Sequence, residues 1–239
     1  MNRTHAWRLG AALTAAGSLA GLAVSAPASA AATTTVALYD MNEAAGAKVL
    51  VDSSGNGLNG TIGATVTVHA VYNGATGHRF PYLKPDTPPA VPSHLDTVPD
   101  NALLDPGTAD YAVTIRYRTT QRFGNILQKG QSGTSGGYWK FQAPKGIVSC
   151  LFRGASGSKS VNSGVALNDG QWHVVRCERT ATKVVMTIDG TKKRTGNGAT
   201  GSISNSQPLS IGGKSKCDQV TITCDYFVGD IDYVRIEKG

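Results

Sequence analysis

The sequence predicts an all-β chain folded as two packed antiparallel sheets. Beyond the first 30 residues, no stretch repeats apolar residues at helical spacing over three turns. Short runs of alternating apolar and polar residues recur instead, bounded by Gly, Asn, Asp and Pro. The 29 glycines show no fixed period, which fits many hairpin turns and excludes collagen-like or solenoid arrays.

Taken in chain order, Arg3, His5 and Arg8 form a short basic head, and an apolar run follows from Leu9 to Val24. The run stops at Pro27, and Ala28, Ser29 and Ala30 supply the small residues of a cleavage site. This is the pattern of a secretory signal peptide over residues 1–30, cut after Ala30. The run is shorter than the ~20 apolar residues a membrane span needs, so no membrane insertion is expected after cleavage. Residues 31–239 suit one sandwich domain and are expected to be extracellular and monomeric.

The early strands are expected at Val36 to Asp40 and Thr65 to Ala70. Phe80 to Pro106 holds seven of the ten prolines, so it is expected to wrap the surface without forming central strands. The clearest strand is Tyr111 to Arg118: Tyr111, Val113, Ile115 and Tyr117 point to a core, while Thr114, Arg116 and Arg118 point to water. Further strands are expected at Gly124 to Lys129, Tyr138 to Gln142, Ile147 to Arg153, His173 to Thr180, Lys183 to Asp189, Pro208 to Gly212 and Phe227 to Glu237. About ten strands make two packed sheets.

Four cysteines, all beyond the leader, suit an oxidising compartment and two disulfides. Sequence alone permits three pairings. Cys217 and Cys224 are close enough to staple one small excursion, which leaves Cys150 for Cys177. The formal charge of +7 falls to +5 once Arg3 and Arg8 are removed. It is spread along the chain except for Lys192, Lys193 and Arg194, behind the turn signal of Asp189 and Gly190. That is a mildly basic surface and not a nucleic-acid signature; the cluster is expected to serve solubility, with polyanion binding the alternative.

A local signature runs from Asn168 through Gly170, Trp172 and His173 to a second strand ending in Asp189 and Gly190. Asp52 to Thr61 near the start, and Pro208 to Gly213 followed by Phe227 to Ile236 at the end, complete a series of three motifs. Together they resemble laminin G-like domains, and particularly a group of secreted actinobacterial single-domain proteins. The resemblance implies a concanavalin A-like jelly roll. In such domains the residue matching Trp172 packs into the sandwich and that matching His173 satisfies a neighbouring polar group. A sugar-binding pair is the alternative. Many of these domains hold one structural Ca2+ through oxygen ligands. Asp52, Asn56, Asp230 and Asp232 are the acidic or amide positions in the matching motifs, Asp52, Asn56 and Asp232 are the expected ligands, and ordinary side-chain-to-backbone turn bonds are the alternative.

Hydrolases share this architecture, but their Glu-x-Asp-x-x-Glu strand is matched here only by Asp230, Asp232 and Arg235. That stretch lacks the closely spaced carboxylate pair of retaining hydrolysis. Gly133, Ser135 and Gly137 make a formal Gly-x-Ser-x-Gly, but a hairpin context is not a nucleophile elbow. His69, His78 and His94 lack the close spacing or neighbouring carboxylates of a zinc site. The expectation is therefore a secreted, non-catalytic binding module for an extracellular glycan or protein. A glycan hydrolase and a wall-associated structural domain are the alternatives. The expected ligand contacts are Tyr138 and Trp139 beside a Gly-rich loop, with Arg79 and Tyr82 at the start of the proline-rich wrap.

Overall fold

The computed structural model describes residues 33–82, 93–216 and 225–239. The expected leader, part of the expected proline-rich wrap and the expected Cys217–Cys224 disulfide lie outside the described residues. The strands in chain order are β1 (Thr34–Tyr39), β2 (Val49–Leu50), β3 (Gly60–Thr61), β4 (Thr67–Tyr72), β5 (Ala75–Phe80), β6 (Asp96–Val98), β7 (Tyr111–Arg118) and β8 (Asn125–Lys129). They continue as β9 (Tyr138–Gln142), β10 (Ile147–Gly154), β11 (Gly157–Ala166), β12 (His173–Arg179), β13 (Lys183–Ile188), β14 (Lys192–Asn197), β15 (Leu209–Ile211) and β16 (Gly229–Lys238).

One sheet has the order β14-β13-β12-β7-β16-β5-β4, with β1 also paired to β16. The other has the order β11-β10-β9-β8-β15-β6-β3-β2. Every strand pair is antiparallel, as expected for a two-sheet jelly roll. The alternation read in β7 is realised: Val113, Ile115 and Tyr117 are buried between the sheets, while Arg116 and Arg118 face outward.

Several strands escaped the sequence reading. β11 is Gly- and Ser-rich and β14 is largely basic, so neither carries an apolar face. Both lie at sheet edges, where one row of backbone groups has no strand partner. β6 lies within the proline-rich stretch yet is flanked by β15 and β3, which corrects the expectation of no central strand there. Its three residues fall between Pro92 and Pro99, so every residue of β6 keeps its N–H. The two-residue hairpin loop Asn73–Gly74 has positive φ at both residues, the twist that such loops demand, and Asp189 and Gly190 in the three-residue β13–β14 loop share it.

Two links cross the sandwich. Cys150 on β10 is bonded to Cys177 on β12, both fully buried, as the spacing suggested. Closing a loop of this length stabilises the fold by about 3 kcal/mol. The second link was not anticipated. His78 on β5 is completely buried; its Nδ1 lies 2.6 Å from Asp96 on β6 and its Nε2 2.9 Å from Glu43. At one end of the core the buried Lys129 ammonium is satisfied by Asp100, Asp105 and the Asn205 carbonyl at 2.6–2.7 Å. A charge can be buried only with such partners.

Burial alone favours neutral imidazole, but the hydrogen bonds and charges of Asp96 and Glu43 outweigh it and push the His78 pKa up to about 9. A pKa raised on folding stabilises the protein fully below the unfolded value near 6.5, and that contribution disappears as pH rises through 9. Urea unfolding should therefore lose about 3 kcal/mol between pH 6.5 and 9.5 in the parent. A His78→Gln variant should lack most of that slope; equal slopes in the two proteins would contradict a charged His78.

Candidate functional site

The outer face of the β7-containing sheet carries a ladder of charge. In its first row Arg79 of β5, Asp230 of β16 and Arg118 of β7 stand side by side, fixed by the pairings Asp230 with Arg79 and Asp230 with Arg118. Arg79 donates through Nε at 2.7 Å and Nη2 at 3.2 Å to the two Asp230 oxygens, and Arg118 donates to Asp230 Oδ2 through Nη1. The Asp230 hydrogen bonds raise the Arg79 pKa, so this guanidinium holds its proton more firmly. In the next row Arg116 pairs with Asp232, which sits at a bulge where β16 shifts register between Ile231 and Tyr233. Farther along, Arg176 pairs with Glu178 and Glu237, and Arg235 with Glu237.

The β4–β5 hairpin crosses this face. β5 pairs with β16 only through residues 78–80, after which β1 takes the same edge. The hairpin therefore leaves the sheet, and it passes over β16 at Gly77, where a Cβ would lie 2.5 Å from the Ile231 carbonyl oxygen. Its tip is pinned from below. The Arg118 guanidinium lies 3.4 Å from the Tyr72 ring centroid, Arg118 Nε donates to the Gly170 carbonyl, and Trp172 Nε1 donates to the Tyr72 carbonyl at 3.3 Å.

Trp172 is consequently half-buried on the outer face, with Arg116 4.8 Å from its ring centroid, and is not a residue of the sandwich core. The expectation of core packing is corrected: Trp172 follows the outward parity of Val174 and Arg176 on β12, and the hairpin supplies its cover. His173 does satisfy polar neighbours, Asp189 at 3.0 Å and Asp169 at 3.1 Å.

At the root of the hairpin lies a cleft of about 220 Å³. It is lined by Arg79, Arg118 and Asp230 together with Thr119, Thr120, Phe80, Val228 and Gly229. Tyr82 stands at the cleft, 66% exposed. Arg79 and Tyr82, expected from sequence as ligand contacts, are thus brought together. Arg118, Asp230 and Thr120 join them; the alternation of β7 had marked Arg118 as outward, but nothing local revealed that β16 and β5 would be its neighbours.

Tyr138 and Trp139 do not join them. Trp139 is fully buried, packed near Tyr111 with ring centroids 5.8 Å apart, and Tyr138 is 6% exposed. β9 is an interior strand between β8 and β10; Trp139 packs in the core and the neighbouring Tyr138 is buried as well, so neither offers a ring to a ligand. The neighbouring hollow of about 420 Å³ is lined by Gln131 to Ser135, Ser206, Gln207 and Lys216, with no aromatic ring among the described residues.

The residues expected to hold calcium already have protein partners. Asp52 accepts backbone N–H bonds from Leu38, Ser54 and Leu58 and a bond from the Ser54 hydroxyl. Burial raises its pKa, but these bonds prevail and hold the carboxyl below its ordinary range. Asn56 donates to the Val36 carbonyl, and Asp232 faces Arg116, whose charge opposes a nearby cation. Among the described residues no group of three His, Cys, Asp or Glu is placed to hold a metal ion. In this structure Asp52 and Asn56 make side-chain-to-backbone bonds and Asp232 is ion-paired with Arg116.

Residues 117–239, half of the chain, match the laminin G domain model. The chain belongs to the laminin G domain family. No curated protein matches its sequence. Among solved structures, this laminin G domain is similar to domain 4 of AbnA, a GH43 extracellular arabinanase from Geobacillus stearothermophilus solved in complex with arabinotriose. The identity is 18% and the TM-score 0.59, with 87% of this chain and 93% of that one covered. It is also similar to domains LG4-5 of the mouse laminin α1 chain, with 18% identity, TM-score 0.53 and coverage of 74% and 46%. The binding domain of botulinum neurotoxin serotype D matches at 12% identity and TM-score 0.58, with coverage of 86% and 47%. The chain spans about half the length of the laminin and neurotoxin chains. At these identities the likenesses establish the fold.

Because Asp52 and Asp232 are already occupied, calcium and chelator should leave the melting temperature of the protein unchanged. A rise of several degrees with calcium, measured by calorimetry, would show that an oxygen cage forms after all.

Proposed function

We propose that this laminin G domain is a secreted, non-catalytic module that binds an extracellular glycan in the cleft at the root of the β4–β5 hairpin. The observation that carries the reading is the exposed Tyr82 beside Arg79, Arg118, Asp230 and Thr120. An exposed ring offers a stacking surface to the apolar face of a sugar, and a fixed set of donors and acceptors beside it can bond the hydroxyls. Because the polar groups already hold one another, the site is organised before ligand arrives. The likeness to an arabinanase domain solved with arabinotriose supports a saccharide over other small ligands.

A non-catalytic role is supported by the carboxylates. Hydrolysis needs two carboxyl groups flanking the scissile bond, one of them able to donate a proton. Asp230, Asp232, Glu178 and Glu237 are each ion-paired with at least one arginine, so no two of these carboxylates stand unpartnered on either side of a bound sugar. The leader over residues 1–30 and the buried disulfide suit an extracellular location.

Affinity electrophoresis through gels cast with arabinan, xylan, pectin or glucan tests the proposal. At least one polysaccharide should retard the protein without release of reducing sugar. Tyr82→Ala should weaken that retardation about tenfold, the scale expected of a single stacking ring. Sugar release, or undiminished retardation of the variant, would overturn the assignment.

A further inference from the structure

Among the described residues, the ladder outside the cleft sets three arginines against three carboxylates. Arg116 faces Asp232, and Arg176 and Arg235 share Glu178 and Glu237. In the cleft, two guanidiniums, Arg79 and Arg118, share the single carboxylate of Asp230. Asp169, the carboxylate beside the Gly170 that holds Arg118, is turned to His173 and to the Gln171 N–H. Among the described residues, one positive charge is therefore in excess next to Tyr82.

From this imbalance we infer that the cleft selects saccharides carrying a carboxylate, of the uronic acid class, over neutral ones; the inference rests on the glycan reading above and adds the charge of the ligand. Asp230 is only 2% exposed, so it neutralises from beneath and leaves the outer side of the arginines positive. Arg79 spends Nε and Nη2 on Asp230, while its side chain remains 47% exposed. Arg118 is held flat over Tyr72 and anchored at Gly170, so its guanidinium plane is fixed before any ligand arrives. A planar guanidinium in a fixed orientation suits a carboxylate far better than a neutral hydroxyl. Thr120 and the Tyr82 ring would meet the rest of the sugar.

The test compares the same sugar with and without its charge. Titration calorimetry would use trimers of galacturonic and glucuronic acid, their methyl esters, and arabinotriose as a neutral pentose. One acid trimer should bind about tenfold more tightly than its ester, and the advantage should shrink as salt rises toward about 0.15 M. Arg79→Gln should abolish the advantage, while Arg235→Gln, on the same face but outside the cleft, should keep it; the melting temperature of each variant reports its folding. Equal binding of acid and ester by the unmodified protein overturns the charge inference and leaves the glycan reading standing. Binding of arabinotriose alone does the same. Binding of none of the five overturns the charge inference and counts against the glycan site as well.

Discussion

Asp230 is nearly removed from water yet faces two cations, and that arrangement fixes the middle of the functional sheet. An unpaired carboxylate at this depth would be costly. With Arg79 on one side and Arg118 on the other, the cost is offset by charged hydrogen bonds that tie β5, β16 and β7 into one row. The same bonds aim both guanidiniums, so the interaction that sets strand register also sets site geometry. A slip of one residue in β16 would turn Asp230 inward and Ile231 outward, which the buried face forbids.

The hairpin follows from a competition for one edge. β16 is long enough for two partners in succession, β5 and then β1, and the bulge at Asp232 marks the handover. Forced off the edge, the hairpin turns across the face and is met there by Arg118, Arg116 and Trp172. The cleft exists because of this departure: it is the hollow beside the root of the hairpin, where the chain turns through Pro81 and Tyr82. Arg118 belongs to both features, bearing the Tyr72 ring on one side and bonding Asp230 in the cleft. Ligand contact at Arg118 is thereby physically connected to the position of the hairpin tip.

Much of the fold was legible from alternation alone. β7, β9, β10, β12, β13 and β16 all have apolar residues at every second position over most of their length, because each has one face in the core. Strands without that requirement were invisible: β11 and β14 are edges, and β6 is only three residues long. The site was legible in part. Arg79 and Tyr82 stood out by type and place, but Trp139 looked equally suitable, and only the position of β9 inside its sheet decides that its ring points to the core. Trp172 misled in the opposite direction, since a tryptophan opening a central strand is covered here by a hairpin arriving from elsewhere in the chain. The His78, Asp96 and Glu43 cluster left no local trace: its members lie 18 and 35 residues apart and meet only when the sheets close.

The most direct test of the account follows side-chain N–H signals of the protein by NMR during titration with whichever saccharide binds. The account requires the Nε–H signals of Arg79 and Arg118 to shift first, with Trp172 Nε1–H following through Arg118 and Tyr72, while Arg235 stays unmoved. Shifts confined to the Gln131 to Ser135 loop and Gln207, with Arg79 and Arg118 unaffected, would place the ligand in the other hollow and contradict it.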